Sequence, residues 1–388
     1  MAKGNKFGTF GGVFTPSILT ILGVIMYLRL PWIVGQAGLW ASVGIILIAH
    51  VISVTTGLSV ASIATDKSVE AGGPYYIVSR SLGLPLGGTL GLALAVGLSF
   101  SISLYIIGFC ESLLAYLELA PSIENIRLYG TITLVGLTIV TLISTSLAIK
   151  TQYLILVAIV GSLVSIFLGD SDAVLWQVGP IAPEAPQLMP NDGVDAVPMA
   201  TLFGIFFPAV TGFTAGVNMS GDLRDAKRSI PRGTIAAIAV GLVTYVGLAV
   251  FFAIAVDAEL LRNDRNILLS LSLVPEAVIA GIWGATLSSA LGSILGAPRI
   301  FQALALDRVI PHAFSAGHGK TNEPRTALII AFIIAEAGIL IAELDAIAAI
   351  VSMFFMATYG FLNLSCAVES WASPDFRPEF RIPRWVSV

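Results

Sequence analysis

The chain has 388 residues, of which 56% are hydrophobic and 11% charged, with mean hydropathy +0.91. Soluble domains carry about 25% charged residues, so most of this surface must face lipid rather than water. The net charge of -4 is small and says little about partners, and no basic tail reads as nucleic-acid binding, so no nucleic-acid partner is expected.

A helix needs ~20 apolar residues to cross the hydrocarbon core. Ten such segments read along the chain, at 14–35, 40–64, 85–117, 130–148, 152–169, 199–221, 233–256, 276–305, 325–342 and 346–370. The two longest, 85–117 and 276–305, should tilt or project beyond the bilayer. The short basic N-terminus (Lys3, Lys6) leads into a span with no small-residue cleavage site, so no signal peptide is expected. Cys110 and Cys366 lie in apolar runs, which argues against a disulfide framework.

With the N-terminus in the cytoplasm, Lys3, Lys6, Lys67, Arg80, Lys150, Arg224, Lys227, Arg228, Arg232, Arg299, Arg308, Lys320, Arg325, Arg377, Arg381 and Arg384 fall inside. Only Arg127, Arg262 and Arg265 fall outside. The positive-inside rule therefore predicts both termini in the cytoplasm of a multi-pass cell-membrane protein. The outer loop 170–198, with Asp170, Asp172, Glu184, Asp192 and Asp195 and no basic residue, fits.

Ten spans divide into halves of five, and an odd number inverts the second half. The first span carries Phe14-Thr-Pro-Ser-Ile-Leu-Thr-Ile-Leu-Gly23 and the sixth Phe206-Phe-Pro-Ala-Val-Thr-Gly212-Phe-Thr-Ala-Gly216. Pro then Gly at matched places predicts two discontinuous helices. Either alone would read as an ordinary kink. Free N–H groups at such breaks suit anions, and free carbonyls suit cations. Lipid tolerates them only beside protein or a polar cavity.

Several polar residues lie near these breaks. Ser288 and Ser289 in Ala285-Thr-Leu-Ser-Ser289 offer hydroxyls to a small hard cation. Serine pairs also simply bond a carbonyl one turn back or let helices approach. Tyr105 and Thr211 could join carbonyls around a larger cation, and Tyr359 could donate to an anion. Arg29 and Glu111, both ionisable within spans, are expected to pair as a gate or as a static bridge. Glu336 has no evident partner. His50 lies in a span; His312 and His318 lack metal spacing, and no Walker loop is present, so no enzyme chemistry stands out. The sequons Asn218-Met-Ser220 and Asn363-Leu-Ser365 lie in or near membrane on the cytoplasmic side and are dismissed.

Longer motifs add a resemblance. They are Leu19-Thr-Ile-Leu-Gly-Val-Ile-Met-Tyr-Leu-Arg-Leu30 with Trp32-Ile-Val-Gly35, Ala71-Gly-Gly-Pro-Tyr-Tyr76, Tyr105-Ile-Ile-Gly-Phe-Cys-Glu111, and Phe207-Pro-Ala-Val-Thr-Gly212. Ser220-Gly-Asp-Leu223 with Ile230-Pro231, Ala285-Thr-Leu-Ser-Ser289 with Ala297-Pro-Arg299, and Asn322-Glu-Pro324 complete the set. From about Phe7 to Trp385 the chain resembles the transport domain of a cation-chloride cotransporter of the amino acid–polyamine–organocation superfamily. The resemblance implies an all-α membrane protein with a LeuT-like five-plus-five inverted repeat, forming a single transport domain over 1–388. Its halves would be about 14–169 and 199–370.

The resemblance also implies electrically balanced symport of Cl− with Na+ and K+ by alternating access, with no cofactor. Matched position by position, Leu19, Leu22, Ala285, Ser288 and Ser289 fall at the family's sodium site. Thr20, Ile21, Tyr105, Pro208 and Thr211 fall at its potassium site. Gly23, Val24 and Ile25 match the upper chloride site, Gly212, Phe213, Thr214 and Tyr359 the lower one, and Arg29 with Glu111 the outer gate. Both serines together with Tyr105 resemble the Na-K-2Cl branch, two cations offsetting two desolvated chlorides.

The chain also departs from the family. Thr20 stands where sodium-coupled animal members have Asn, Leu22 where they have Trp, and Phe213-Thr214 where an aliphatic pair is usual. The chain stops at Trp385-Val-Ser-Val388, where the family enters an eleventh span, so the last two spans and the C-terminal cytosolic domain are expected to be absent. The short tails suggest a prokaryotic homologue. The expected partners are lipid, small inorganic ions and a second copy in a homodimer, although the family dimerises largely through the absent parts. Symport with one cation only, a Na+- or H+-coupled amino-acid permease, and a transport-inactive assembly or sensor subunit are the competing readings.

Overall fold

The structure is a computed structural model that describes residues 7–66, 72–143, 151–169, 187–218, 223–318 and 323–387. Among these residues there is no β-strand beyond two isolated bridges, Phe7–Leu223 and His318–Glu323. An all-helical solution is what lipid demands, because a helix satisfies its backbone polar groups within its own segment.

The chain runs α1 (Thr15–Ile21), α2 (Val24–Leu28), α3 (Leu30–Asp66), α4 (Pro74–Ser81), α5 (Leu84–Tyr116), α6 (Ile123–Ile143) and α7 (Gln152–Phe167). The second half has α8 (Met199–Phe206), a 3₁₀ turn (Phe207–Val210), α9 (Thr214–Asn218), α10 (Ala226–Ala255) and the short α11 (Ala258–Asn263) and α12 (Ile267–Leu271). It closes with α13 (Pro275–Leu306), α14 (Arg325–Ile341) and α15 (Leu344–Ala372). Among the described residues, eight stretches are long and apolar enough to cross a bilayer. Helices α7 and α14, with 16 and 17 residues, fall at the remaining two expected segments.

The expected boundary between the first two spans appears as a kink inside α3, where Gly38 takes φ 65°. The segment from Gln187 to Asn191 lies across this kink and takes its freed backbone groups. Leu39 N–H donates to Gln187 O (3.0 Å) and Asn191 N–H to Gln36 O (2.8 Å). A Cβ at residue 38 would meet Met189 O at 2.2 Å, so both the positive φ and the close approach require glycine.

Two boundaries differ from expectation. Helix α10 starts at Ala226 rather than 233, because Asp225 caps it by accepting from Arg228 N–H (3.2 Å). The charges there hold no loop; Lys227 reaches out to Glu379 at 3.0 Å. Helix α6 starts at Ile123 rather than 130, with Glu124 in its first turn and Arg127 Nε donating to Leu340 O (2.7 Å). Charged first turns look like loop by composition, yet they suit a helix end at the water interface.

The broken first and sixth helices form the core together with α5. The apolar window of Phe10–Leu28 is 83% buried, that of Leu84–Tyr116 78% and that of Met199–Val217 72%, against 22% for Ile123–Ile143. The last therefore faces lipid at the periphery, with Leu128, Ile132 and Ile139 exposed. Around the core α3 packs on α10, and α5 packs on α13 and α15. The motif residues Ala71, Ser220-Gly-Asp222 and Asn322 lie outside the described residues. So do Lys3, Lys6, Lys67, Lys150, Lys320, the acidic stretch 170–186, the end of the fourth expected span at 144–148, and Met219-Ser220 of the first sequon.

Candidate ion site at two broken helices

The first break lies between α1 and α2. Leu22 (φ −81°, ψ 52°) and Gly23 (φ −104°, ψ −151°) leave the helical region, and α2 restarts at Val24. The first-turn N–H groups of α2, which include Val24 and Ile25, have no acceptor within their own helix. At the second break α8 tightens into the 3₁₀ turn and Thr211-Gly-Phe213 connects to α9. The two breaks meet: a Cβ on Gly212 would lie 2.5 Å from Thr20 Cβ and 2.9 Å from the Ile21 nitrogen. Only glycine lets these backbones come this close.

Polar side chains from other helices hold the released carbonyls. Tyr245 donates to Ile21 O (2.7 Å), Ser17 to Phe213 O (3.0 Å), Ser53 to Val210 O (2.9 Å) and Tyr359 to Thr211 O (2.7 Å). These carbonyls would otherwise be buried acceptors with neither water nor helix partners, at a cost of about 1–3 kcal/mol each.

Among the residues expected at a sodium site, Leu19 and Leu22 are buried at the first break and Ala285 is buried on α13, which packs against α1. Ser288 Oγ bonds back to Ala285 O (3.2 Å), the ordinary role of a helical serine. Ser289 differs: its Oγ is buried and has no hydrogen-bond partner among the described residues. A buried hydroxyl without a partner is uncommon and needs a reason.

Of the residues expected at a potassium site, Thr20 turns its hydroxyl back to Pro16 O (2.9 Å). Thr211 Oγ1 likewise bonds Pro208 O (2.8 Å). Tyr105 is 5% exposed, lies near Tyr245 and Tyr359, and its hydroxyl makes no hydrogen bond among the described residues. Of the residues expected at a chloride site, Thr214 donates its Oγ1–H to Thr211 O (3.3 Å), while Tyr359 spends its O–H on Thr211 O, as above.

At one end of the bundle Arg29, 6% exposed, donates Nη1 and Nη2 to Glu111 Oε2 (3.0 Å) and Oε1 (3.1 Å). This fork-to-fork pair adds geometric specificity to charge. Arg29 Nε also binds Asp345, in the first turn of α15, which the sequence reading missed. Arg29 and Asp345 line a cavity of about 90 Å³ together with Trp32, Arg262, Asp264 and Arg265. Glu336, expected to lack a partner, accepts from Thr131 Oγ1 (2.7 Å) on α6, while its Oε2 is buried and unpaired among the described residues. At the opposite end Tyr75 donates to Asp307 Oδ2 (2.6 Å), tying α4 to α13. Burial and that carboxylate push the Tyr75 hydroxyl well above the ordinary tyrosine range, so it keeps its proton.

Sequence comparison adds ancestry to this geometry. Solute carrier family 12 member 1 of Mus musculus is 36% identical over 99% of this chain and 40% of its own length. Solute carrier family 12 member 2 is 37% identical in Homo sapiens and 36% in Squalus acanthias, each over 99% of this chain and 36% of the relative. The chain thus spans at most 40% of the length of the curated relatives it matches. The amino acid permease family profile matches residues 12–387, essentially all of the multi-pass helical bundle. The chain therefore belongs to the amino acid permease family, a family of membrane transport proteins and not of enzymes.

Proposed function

We propose that this chain is a secondary active symporter that couples Na+ and K+ to Cl− across the membrane. It would form one transport domain of ten spans over 1–388, with halves at about 14–169 and 199–370 and both termini in the cytoplasm. The observation that carries the reading is the meeting of the two breaks, where backbone groups released from the helices converge, with the Ser289 and Tyr105 hydroxyls making no hydrogen bond among the described residues. Ser289 Oγ, with Ser288 and the carbonyls of Leu19, Leu22 and Ala285, suits Na+, a hard cation taking neutral oxygens. The free Tyr105 hydroxyl, with oxygens of Thr20, Ile21, Pro208 and Thr211, suits the larger K+. The N–H groups of Gly23, Val24 and Ile25 favour one chloride, and those of Gly212, Phe213 and Thr214 with Tyr359 a second.

Filling these sites requires exchange of partners. An ion at the Ile21 or Thr211 carbonyl competes with the O–H of Tyr245 or Tyr359, and Tyr359 released from Thr211 O becomes a donor for chloride. In a site closed to water, neither two cations nor two anions alone are tolerable, so loading both is the neutral solution. Arg29 with Glu111 and Asp345 would then be the outer gate, closing one side while the bundle rocks about the breaks. The solute carrier family 12 relatives support an inorganic-ion cargo. An amino-acid permease on the same fold remains the second reading, favoured by the family profile.

The test is radiosodium and rubidium uptake into proteoliposomes, with Ser289→Ala and Tyr105→Ala alongside. Uptake of each cation that requires the other and chloride, and that both variants abolish, supports the proposal. Sodium uptake that ignores rubidium and chloride overturns it and directs attention to amino acids.

A further inference from the structure

One buried titratable side chain has no part in the site described above. His50 sits mid-way along α3, 2% exposed. Its Nδ1 lies 2.9 Å from Ile46 O. A carbonyl only accepts, so Nδ1 carries the hydrogen and Nε2 is a bare acceptor. That Nε2 is buried and has no partner among the described residues.

The ring faces the first break. His50 and Tyr245 meet edge-on, with ring centroids 6.1 Å apart. Tyr245 is the side chain whose O–H holds Ile21 O. Gly241 marks the same approach: a Cβ there would lie 2.6 Å from Ile21 Cγ2 and 3.8 Å from His50 Nε2. One turn on, Ser53 of the same helix face holds Val210 O at the second break. The titratable groups on this side, from the helices packed against α3, are Tyr245, with Tyr105 and Tyr27 beyond it. No carboxylate or basic group among the described residues acts on the His50 ring.

We propose that His50 is a proton-binding site linked through Tyr245 to the first break, where a proton on His50 and an alkali cation at Ile21 O oppose each other. The inference rests on the alkali-cation reading of the break. A cation at Ile21 O weakens the bond that Tyr245 O–H makes there, and neutral His50 Nε2, on the ring that meets Tyr245 edge-on, is an acceptor without a partner among the described residues. Protonated His50 cannot accept that bond, so Tyr245 stays on Ile21 O. The imidazolium charge acts in the same direction, since unit charges some 6–10 Å apart at an effective dielectric near 20 shift an equilibrium by roughly tenfold or more. No atom is transferred to a co-reactant; the proton comes from bulk water and returns to it.

The experiment is a K+ titration of the thermal unfolding midpoint of the purified full chain, at about pH 6 and about pH 8, a range that spans the ordinary histidine titration. Wild type, His50→Gln, His50→Asn and Tyr245→Phe are compared. His50→Gln keeps a donor for Ile46 O, and His50→Asn stands in should that variant fold poorly. The expected result is an apparent K+ affinity roughly tenfold weaker at the lower pH in wild type, with no such loss in either His50 variant and a smaller loss in Tyr245→Phe. Equal affinity at both pH values in wild type, or the same loss in the His50 variants, overturns the inference alone. K+ that stabilises no form at either pH overturns the alkali-cation reading itself.

Discussion

Removing one carboxylate from the Arg29 cluster should unbalance the closed bundle by an amount set by burial. The Glu111 side chain is 13% exposed and binds Arg29 through both oxygens, whereas that of Asp345 is 47% exposed. Breaking a buried pair from one side costs about 3–5 kcal/mol, because the surviving charge stays buried without its partner. Some of that returns here because Asp345 still neutralises Arg29, so about 2–3 kcal/mol is expected for Glu111→Gln. At about 1.4 kcal/mol per tenfold, the closed state then loses roughly 30- to 150-fold against the open one. Asp345→Asn should lose about 0.3–1 kcal/mol, roughly two- to fivefold, as water screens an exposed carboxylate. Leu28 lines the cavity and both native cysteines are buried, so a Leu28→Cys variant reports closure through its labelling rate with a membrane-impermeant maleimide. Labelling should accelerate strongly with Glu111→Gln and weakly with Asp345→Asn. Equal rates for Glu111→Gln and the parent would refute the ion pair as the lock, and a larger effect from Asp345 would refute the burial argument.

Other substitutions test separate links. Ser289→Ala should leave the ion-free protein as stable as before or up to ~1 kcal/mol more stable, since it deletes a buried hydroxyl that satisfies nothing. It should abolish Na+-dependent thermal stabilisation; a loss of ion-free stability would show that the hydroxyl has a structural bond. Gly212→Ala should cost about 1–3 kcal/mol and abolish uptake, because its Cβ would meet Thr20 at 2.5 Å; wild-type uptake would mean the breaks need not touch. Tyr75→Phe should lower the unfolding midpoint by an amount that stays flat between about pH 6 and about pH 9. Its hydroxyl titrates higher when folded, so the bond to Asp307 contributes below the unfolded value near 10 and fades only as pH rises past the folded one. A difference that shrinks within that window would contradict the assigned bond.

The two breaks were legible because Pro and Gly inside apolar runs are a local signal, and the match between first and sixth spans is a matter of order along the chain. The long apolar helices were legible for the same reason. Helix ends at Ala226 and Ile123 were not, because Lys227, Arg228, Glu124 and Arg127 belong to first turns whose composition resembles loop. The pairing of Arg29 with Glu111 followed from the cost of lone charges in a membrane. Asp345 escaped notice because it lies 316 residues from Arg29, in the first turn of α15 just ahead of the apolar run that marks the span. The hydroxyls that hold the broken carbonyls escaped for the same reason: Ser53, Ser17 and Tyr245 reach across 157, 196 and 224 residues. A single sequence shows which backbone groups are released, whereas which side chains take them depends on helix packing.

The most direct test of the symport account is radiochloride uptake into proteoliposomes under an inward Na+ gradient, with and without external K+, at several clamped membrane potentials. The account predicts chloride uptake that needs both cations and does not change with potential. Chloride uptake that persists without either cation, or that follows the potential, would contradict it.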